Sequence, residues 1–485
     1  MDIYYKMYPG DRGRFILNFS SAIFLFFFLP LAFLGDRFLG NTRARRPFLA
    51  LAGLIFYAFG QLAGLAVLLL NAAVTWLAGR SIARGGHRAA AAGAIVFDLA
   101  LLGAFKYLDF FTGSLNAAFG LALPSAGLVL PIGISFFTFK SISYLADTAR
   151  APERGSAGFL DVLLYLSWFP EVTSGPITRF SQFAEGLPAR RVTSEQTARG
   201  LRRLTVGLAK KLLIAGSVAT IADAAFGAAA PDFRLAWLGA AAYTIQIYFD
   251  FSGYSDMAVG LSALFGFSSA ENFDYPYLAA SITEFWRRWH LSLSGWFRDY
   301  VYIPLGGSRR GRARTACNKA LVFLLCGLWH GASWTFVLWG VWHGAFSALE
   351  SAGVIPVKRL QGSPAGRAVS HGYALLAVGL GFVLFRADSL TAAASVYRGL
   401  VSFSVSPATS LAFAHISPAA WLALALGVIG SLPVAPAARK WAASRTARTA
   451  NGLCALSYAG TLALFALCLL ALAGGGFQPF IYFQF

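Results

Sequence analysis

Charge is scarce in this chain. Only 13% of its 485 residues are Asp, Glu, Lys or Arg, against 57% hydrophobic. That balance excludes a disordered polar chain, a collagen-like repeat and an ordinary water-soluble domain. Cysteine is scarce too: Cys317, Cys326, Cys454 and Cys468 show no CxxC spacing, and three of them lie in apolar runs. A free Cys there packs as a small hydrophobe, so neither a disulfide framework nor a zinc site is indicated. Also missing are the G-x-S-x-G elbow, the H-E-x-x-H helix, the Walker phosphate loop and the G-x-G-x-x-G fingerprint. Their absence removes serine hydrolases, zincins, P-loop enzymes and dinucleotide enzymes as first readings. Chemistry is left to His and the carboxylates.

What the chain does contain is uncharged runs, at 15–35, 47–79, 110–139, 320–349, 399–438 and 449–485. A bilayer crossing takes roughly 20 apolar residues, so the sequence predicts an all-α polytopic membrane protein. No internal repeat and no soluble domain stands out. We read an N-terminal extension over 1–15 and a single membrane domain over 16–485. The run 15–35 is too long for a cleaved signal peptide, lacks a small-residue cleavage pattern and is expected to remain as a span.

The formal net charge of +19 sits in short clusters between the runs. Such clusters read as cytoplasmic anchors, with membrane lipids rather than nucleic acid as partner. Arg43, Arg45 and Arg46 precede the run 47–79 and Arg80, Arg84 and Arg88 follow it. Both its ends then lie inside, which makes it two helices turning near Gly60 and Gln61 and puts the N-terminus outside. The interval 281–319 carries eight Lys or Arg against Glu284 and Asp299 and belongs on the cytoplasmic side. Ser281 and Glu284 have capping-box spacing. Phe285, Trp286, Trp289, Leu293, Trp296 and Phe297 then recur at helical steps, opposite Arg287, Arg288 and Arg298. This predicts one interfacial helix, ended by Pro304, Gly306 and Gly307, before a basic cluster at 309–314.

Of six histidines, His290, His330 and His343 each follow a Trp, and two of them lie inside the run 320–349. An ionisable group at membrane depth reads as functional by default, although a neutral imidazole can equally be helix–helix glue. If the run is one helix, His343 lies ~20 Å along the axis from His330 and about 220° around it. The two then share a site only if the helix breaks. His330, ~15 Å from Ala320, falls near mid-bilayer and is the better candidate. A neutral imidazole there can act as general base. Gly327, Gly331, Gly340 and Gly344 allow close approach or a break, and ordinary packing explains them equally well. Trp329, Trp334 and Trp339 read as bundle packing before a substrate clamp. Asp250 must be protonated or paired, whether orienting a histidine, binding Arg287 or locking helices.

Several stretches resemble the membrane-bound O-acyltransferase (MBOAT) family: YFDFSGYSDM at 248–257, ENFDYPY at 271–277, EFWRRWHLSLS at 284–294, YIPLGG at 302–307 and GLWHGA at 327–332. PIGISFFTF at 131–139, SGPI at 174–177 and FIYFQF at 480–485 are similar to its bacterial polysaccharide-acetylating branch, the alginate O-acetyltransferase-like one. The resemblance covers nearly the whole chain from about Ile16, and residues 1–14 look like an extension or a misplaced start.

It implies roughly 10–12 transmembrane helices plus re-entrant or interfacial helices around a central channel. His330 corresponds to the catalytic histidine and His290 to the second polar position of the active site. It further implies acetyl-CoA as co-substrate with no tightly bound cofactor, an extracytoplasmic glycan acceptor, a periplasmic acetyltransferase partner and a bacterial inner-membrane location. Asp250, Glu284, Arg287, Arg288, Trp329 and Asn272 are the further candidates for orienting groups or binding the donor, and no metal is expected. EVTSG at 171–175 departs from the family's Gln-Leu-x-Ala-Gly. D-alanyl transfer to teichoic acid, acetylation of peptidoglycan or cellulose, a proton-coupled transporter and a structural assembly subunit remain as alternatives.

Overall fold

A computed structural model describes residues 17–40, 42–85, 88–188, 192–444, 447–475 and 481. The expected N-terminal extension and most of the 480–485 motif lie outside the described residues. Among those described, regular structure is helical, with one isolated bridge between Phe273 and Trp289. By its internal contacts the chain divides into two compact units, one drawn from 1–204 and 255–271, the other from 205–254 and 272–481.

In the first unit a π-helical turn, Phe24–Phe28, leads into α1 (Leu29–Leu39). It is followed by α2 (Arg45–Gly60), α3 (Leu62–Gly85), α4 (Arg88–Phe119), α5 (Ile134–Arg150) and α6 (Phe159–Ser167). Helix α3 packs on α4, α5 and α6. The break expected near Gly60 is present: Gln61 is extended, donates from Nε2 to Leu130 O at 3.2 Å and accepts from the Ile132 N–H at 2.7 Å. Its side chain clasps the loop that precedes α5. The run 110–139 is not one span. Helix α4 stops at Phe119 and residues 120–133 are irregular. Polar groups on α4 hold them: Asn116 pairs both ways with the Leu123 backbone, and the Asp109 carboxylate accepts from the Ala126 and Gly127 N–H groups.

The chain continues through α7 (Ser194–Ala209), a π-helical turn (Lys210–Ala215), α8 (Gly216–Phe226) and α9 (Phe233–Leu264). The second unit then holds α10 (Ile282–Trp286), α11 (Leu291–Phe297), α12 (Gly311–His330), α13 (Trp334–Ala352), α14 (Pro364–Arg386), α15 (Leu390–Ser402), α16 (Pro407–His415), α17 (Pro418–Gly430) and α18 (Ala447–Ala473). Among the described residues five helical stretches are long and apolar enough to cross a membrane: Leu62–Gly85, Arg88–Phe119, Ser194–Phe226, Pro364–Arg386 and Gly452–Ala473. Helices α16 and α17, bent by 85°, form a sixth if taken as one span. The span Ser194–Phe226 was hidden in the sequence by its Arg and Lys residues.

Two expected continuous helices are broken, and both breaks shape the site. The run 320–349 divides at Gly331–Ser333 into α12 and α13, which fold back on each other as a hairpin. Ser333 caps α13 by accepting the Thr335 N–H. Glycine is required where the two helices touch: a Cβ on Gly340 would lie 2.5 Å from Phe323 O and 3.1 Å from Gly327 Cα. The interfacial helix expected from Ser281 is also split, with α10 ending at Trp286 and α11 starting at Leu291. Backbone pairing pulls the connection out of helical form, because Asp274 N–H donates to Arg288 O at 2.9 Å and Leu291 N–H to Asn272 O at 3.0 Å. His290 takes up the turn with φ of 46°. The start of α10 is as predicted, since Ser281 Oγ accepts the Glu284 N–H. Glu350, at the end of α13, adds a second cap by accepting the Ile282 and Thr283 N–H groups.

Candidate active site

His330 and His290 both stand where a helix stops. His330 is the last residue of α12, and His290 lies in the turn between α10 and α11. They are 3% and 0% exposed. The Trp329 ring is common to both, its centroid 6.0 Å from the His290 ring and 4.9 Å from that of His330. Trp339 and Phe385 flank His330 at 5.0 and 5.1 Å, and Phe251 stands edge-on to His290 at 4.6 Å. The break after His330 also returns His343 to this neighbourhood, with its ring 4.9 Å from Trp339. A straight helix would have kept the two imidazoles on separate faces.

Asn272 fixes the state of His290. Its Oδ1 accepts from the Ser292 N–H at 3.2 Å and from Ser292 Oγ at 2.7 Å, and lies 3.3 Å from His290 Nδ1. A backbone N–H can only donate, which identifies that Asn272 atom as the amide oxygen and makes His290 Nδ1 the donor to it. In the neutral ring Nε2 then carries the lone pair.

Other candidates have different work. Asp250 orients no histidine and does not meet Arg287: Lys211 Nζ donates to its Oδ1 at 2.6 Å and the Ile481 N–H to its Oδ2 at 2.9 Å. A carboxylate 4% exposed needs a cation, and the π-helical turn after α7 supplies one. Asp256 pairs with Arg203. Glu284 does not reach an imidazole; it accepts from the Ala280 N–H and binds Arg288 at 3.0 Å, and Arg288 also bonds to Asp274. The departure at Glu171 is explained within the first unit. Buried Glu171 receives buried Lys140 Nζ at 2.8 Å, the buried Thr178 hydroxyl at 2.6 Å and the half-buried Ser269 hydroxyl at 2.6 Å.

Arg287 does line a cavity of about 550 Å³ in the second unit, together with Arg298, Lys319, Trp286, Phe323 and Cys326. None of the arginines at 309–314 lines it. Exposed Arg287 and Arg298 mark its mouth; buried Trp286 and Cys326 mark its inner end. Burial lowers the pKa of Lys319, with Glu350 pulling it up and Arg287 pushing it down. Cys326 precedes His330 by one helical turn, ~6 Å along α12. Arg298, Lys319 and Cys326 were not picked out as site residues from sequence, because their convergence depends on the breaks in the two helices.

Buried imidazoles thus stand at broken helix ends inside a helical membrane protein, and one of them, His330, ends the helix whose Cys326 and Lys319 line a cavity together with Arg287 and Arg298. The family model for MBOAT, the membrane-bound O-acyltransferase family, matches residues 1–352, and the chain belongs to that family. It is a multi-pass membrane O-acyltransferase. The probable alginate O-acetylase AlgI of Azotobacter vinelandii is 40% identical over 96% of this chain and 100% of its own length. A peptidoglycan O-acetyltransferase of Helicobacter pylori is 33% identical over 80% of this chain and 81% of its own. A teichoic acid D-alanyltransferase of Bacillus subtilis is 31% identical over 43% of this chain and 55% of its own.

Proposed function

We propose that this enzyme takes an acetyl group from acetyl-CoA on the cytoplasmic side of the bacterial inner membrane and passes it across for O-acetylation of an extracytoplasmic, alginate-like polysaccharide. A periplasmic acetyltransferase partner completes the transfer to the glycan. The observation that carries this reading is the cavity whose mouth holds Arg287 and Arg298 and whose inner end, at Cys326, is one turn from His330. Cations at the mouth suit the phosphates of a CoA thioester, and an apolar inner end suits its acyl group.

In the proposed step His330 removes the proton of an acceptor hydroxyl as that oxygen attacks the thioester carbonyl. The C–O bond forms, the C–S bond breaks, and the proton returns to the departing thiolate. General base catalysis of this kind is typically worth about 10²–10⁴-fold. His290, with its lone pair on Nε2, orients the hydroxyl rather than donating to the oxyanion. Asn272 holds that tautomer, and Trp329 packs the two imidazoles against each other's neighbourhood.

The full-length coverage of the alginate O-acetylase favours an alginate-like acceptor over peptidoglycan, cellulose or teichoic acid. The test is transfer from radiolabelled acetyl-CoA in membranes carrying the wild type or His330→Ala, with insertion verified. Loss of transfer in the variant is expected; retained transfer would remove His330 as base. Release of free CoA by the wild type checks the donor separately.

A further inference from the structure

Trp286 belongs both to the cavity and to the aromatic cluster around His330. It lines the cavity with Phe323 and Cys326, and its ring lies 5.2 Å from Phe323 and 5.5 Å from Trp339. Trp339 in turn stands 5.0 Å from His330. Going inward from the cavity, the order is Trp286, Trp339, His330. Trp286 is therefore one wall of the inner end, facing Phe323 and Cys326, that an acyl group bound in the cavity would meet near the imidazole.

That wall is held in place. The indole Nε1 donates to His343 Nδ1 at 3.4 Å, and the two rings meet edge-on at 5.3 Å. His343 is completely buried, and its Nε2 faces Gly381 on α14, where a Cβ would lie only 2.8 Å away. Accepting at Nδ1 puts the proton of the neutral ring on Nε2. His343 is thus fixed between α14 and the indole, and its ring neighbours are Trp286, Trp339 and Phe323, of which Trp286 and Phe323 line the cavity. This gives the third Trp-His pair a task that the transfer chemistry leaves open.

We propose that Trp286, oriented by His343, sets the acyl-chain length of the donor, admitting acetyl and excluding longer chains; the inference rests on the acyl-CoA reading above. Trp286 is the specificity-determining residue and His343 a positioning residue. An added methylene that must displace a packed ring is discriminated against by about 10–200-fold in pockets of this kind. Acetyl has no methylene to accommodate.

The experiment measures kcat/KM for acetyl-, propionyl- and butyryl-CoA with the full-length enzyme reconstituted in lipid with its acceptor partner. Trp286→Ala is expected to reduce the acetyl-over-butyryl preference by ~10-fold or more, chiefly by raising the butyryl value. His343→Leu should relax the preference in the same direction, and His343→Gln, whose amide oxygen can accept the indole N–H, should restore it. An unchanged preference in Trp286→Ala and His343→Leu overturns the proposal. If Trp286→Ala fails to insert, Trp286→Phe keeps a ring but loses the N–H. Inhibition by the thioethers S-ethyl-CoA and S-butyl-CoA then reads the same discrimination as binding, and equal discrimination in wild type and Trp286→Phe overturns it as well. A wild type that turns over no acyl-CoA at all would instead refute the donor reading.

Discussion

Asn272 Oδ1 lies 3.3 Å from His290 Nδ1 and is held there by the backbone N–H and hydroxyl of Ser292. The amide therefore controls which nitrogen of the imidazole carries the proton. Replacing Asn272 with Leu leaves the ring free to turn or change tautomer. We expect a fall in kcat of ~10²-fold, the size typical of a misplaced catalytic group, with little change in KM for the donor. Steady-state kinetics on reconstituted enzyme checks it, and a rise in KM at unchanged kcat would count against it.

At the cavity mouth, Arg287→Gln should raise KM for acetyl-CoA by about 10-fold, the worth of one hydrogen bond to a charged group. High salt should shrink the difference between wild type and variant. Comparing acetyl-CoA with its 3′-dephospho analogue tells whether Arg287 meets that phosphate: if it does, the analogue loses affinity in the wild type and little more in the variant.

The hairpin of α12 and α13 depends on glycine at its crossing. Gly340→Val places side-chain atoms against Phe323 O and must force the helices apart. Since His330 ends one of those helices, transfer should fall by at least ~10²-fold, more than the change in thermal stability in detergent accounts for. Near-wild-type transfer in this variant would show that the crossing does not position His330.

Lys140 and Glu171 are 0% and 1% exposed as side chains. Removing either partner alone, by Lys140→Met or Glu171→Leu, strands a buried charge and should destabilise the protein by about 3–5 kcal/mol. The double variant should recover much of that loss. Thermal unfolding of the three proteins in the same detergent measures it, and additive losses would refute the pairing energetics.

How far the sequence disclosed this site differs residue by residue. The break at Gln61 was readable because flanking Arg clusters forced both ends of one run to the same side. The burial of His330 was readable because it lies inside an uncharged run, whether as a reacting group or as helix–helix glue. The break just beyond His330 was not, since hydropathy averages over a Ser333 cap and a glycine crossing that act only once the hairpin has formed. That Asp250 must be paired was readable, but its partner Lys211 was not, because that residue lies 39 positions back along the chain and meets Asp250 only through helix packing. Glu284 shared a capping signal with a catalytic one, and the capping function won.

The left-handed backbone at His290, with φ of 46°, alters how its replacements must be judged. Most L-residues pay about 1–2 kcal/mol to sit there, whereas Asn tolerates it. An alanine scan at this position therefore mixes a conformational penalty with the missing imidazole and exaggerates the chemistry. His290→Asn is the fairer comparison, and the gap between the Asn and Ala variants measures how much of the turn's shape is imposed by its surroundings.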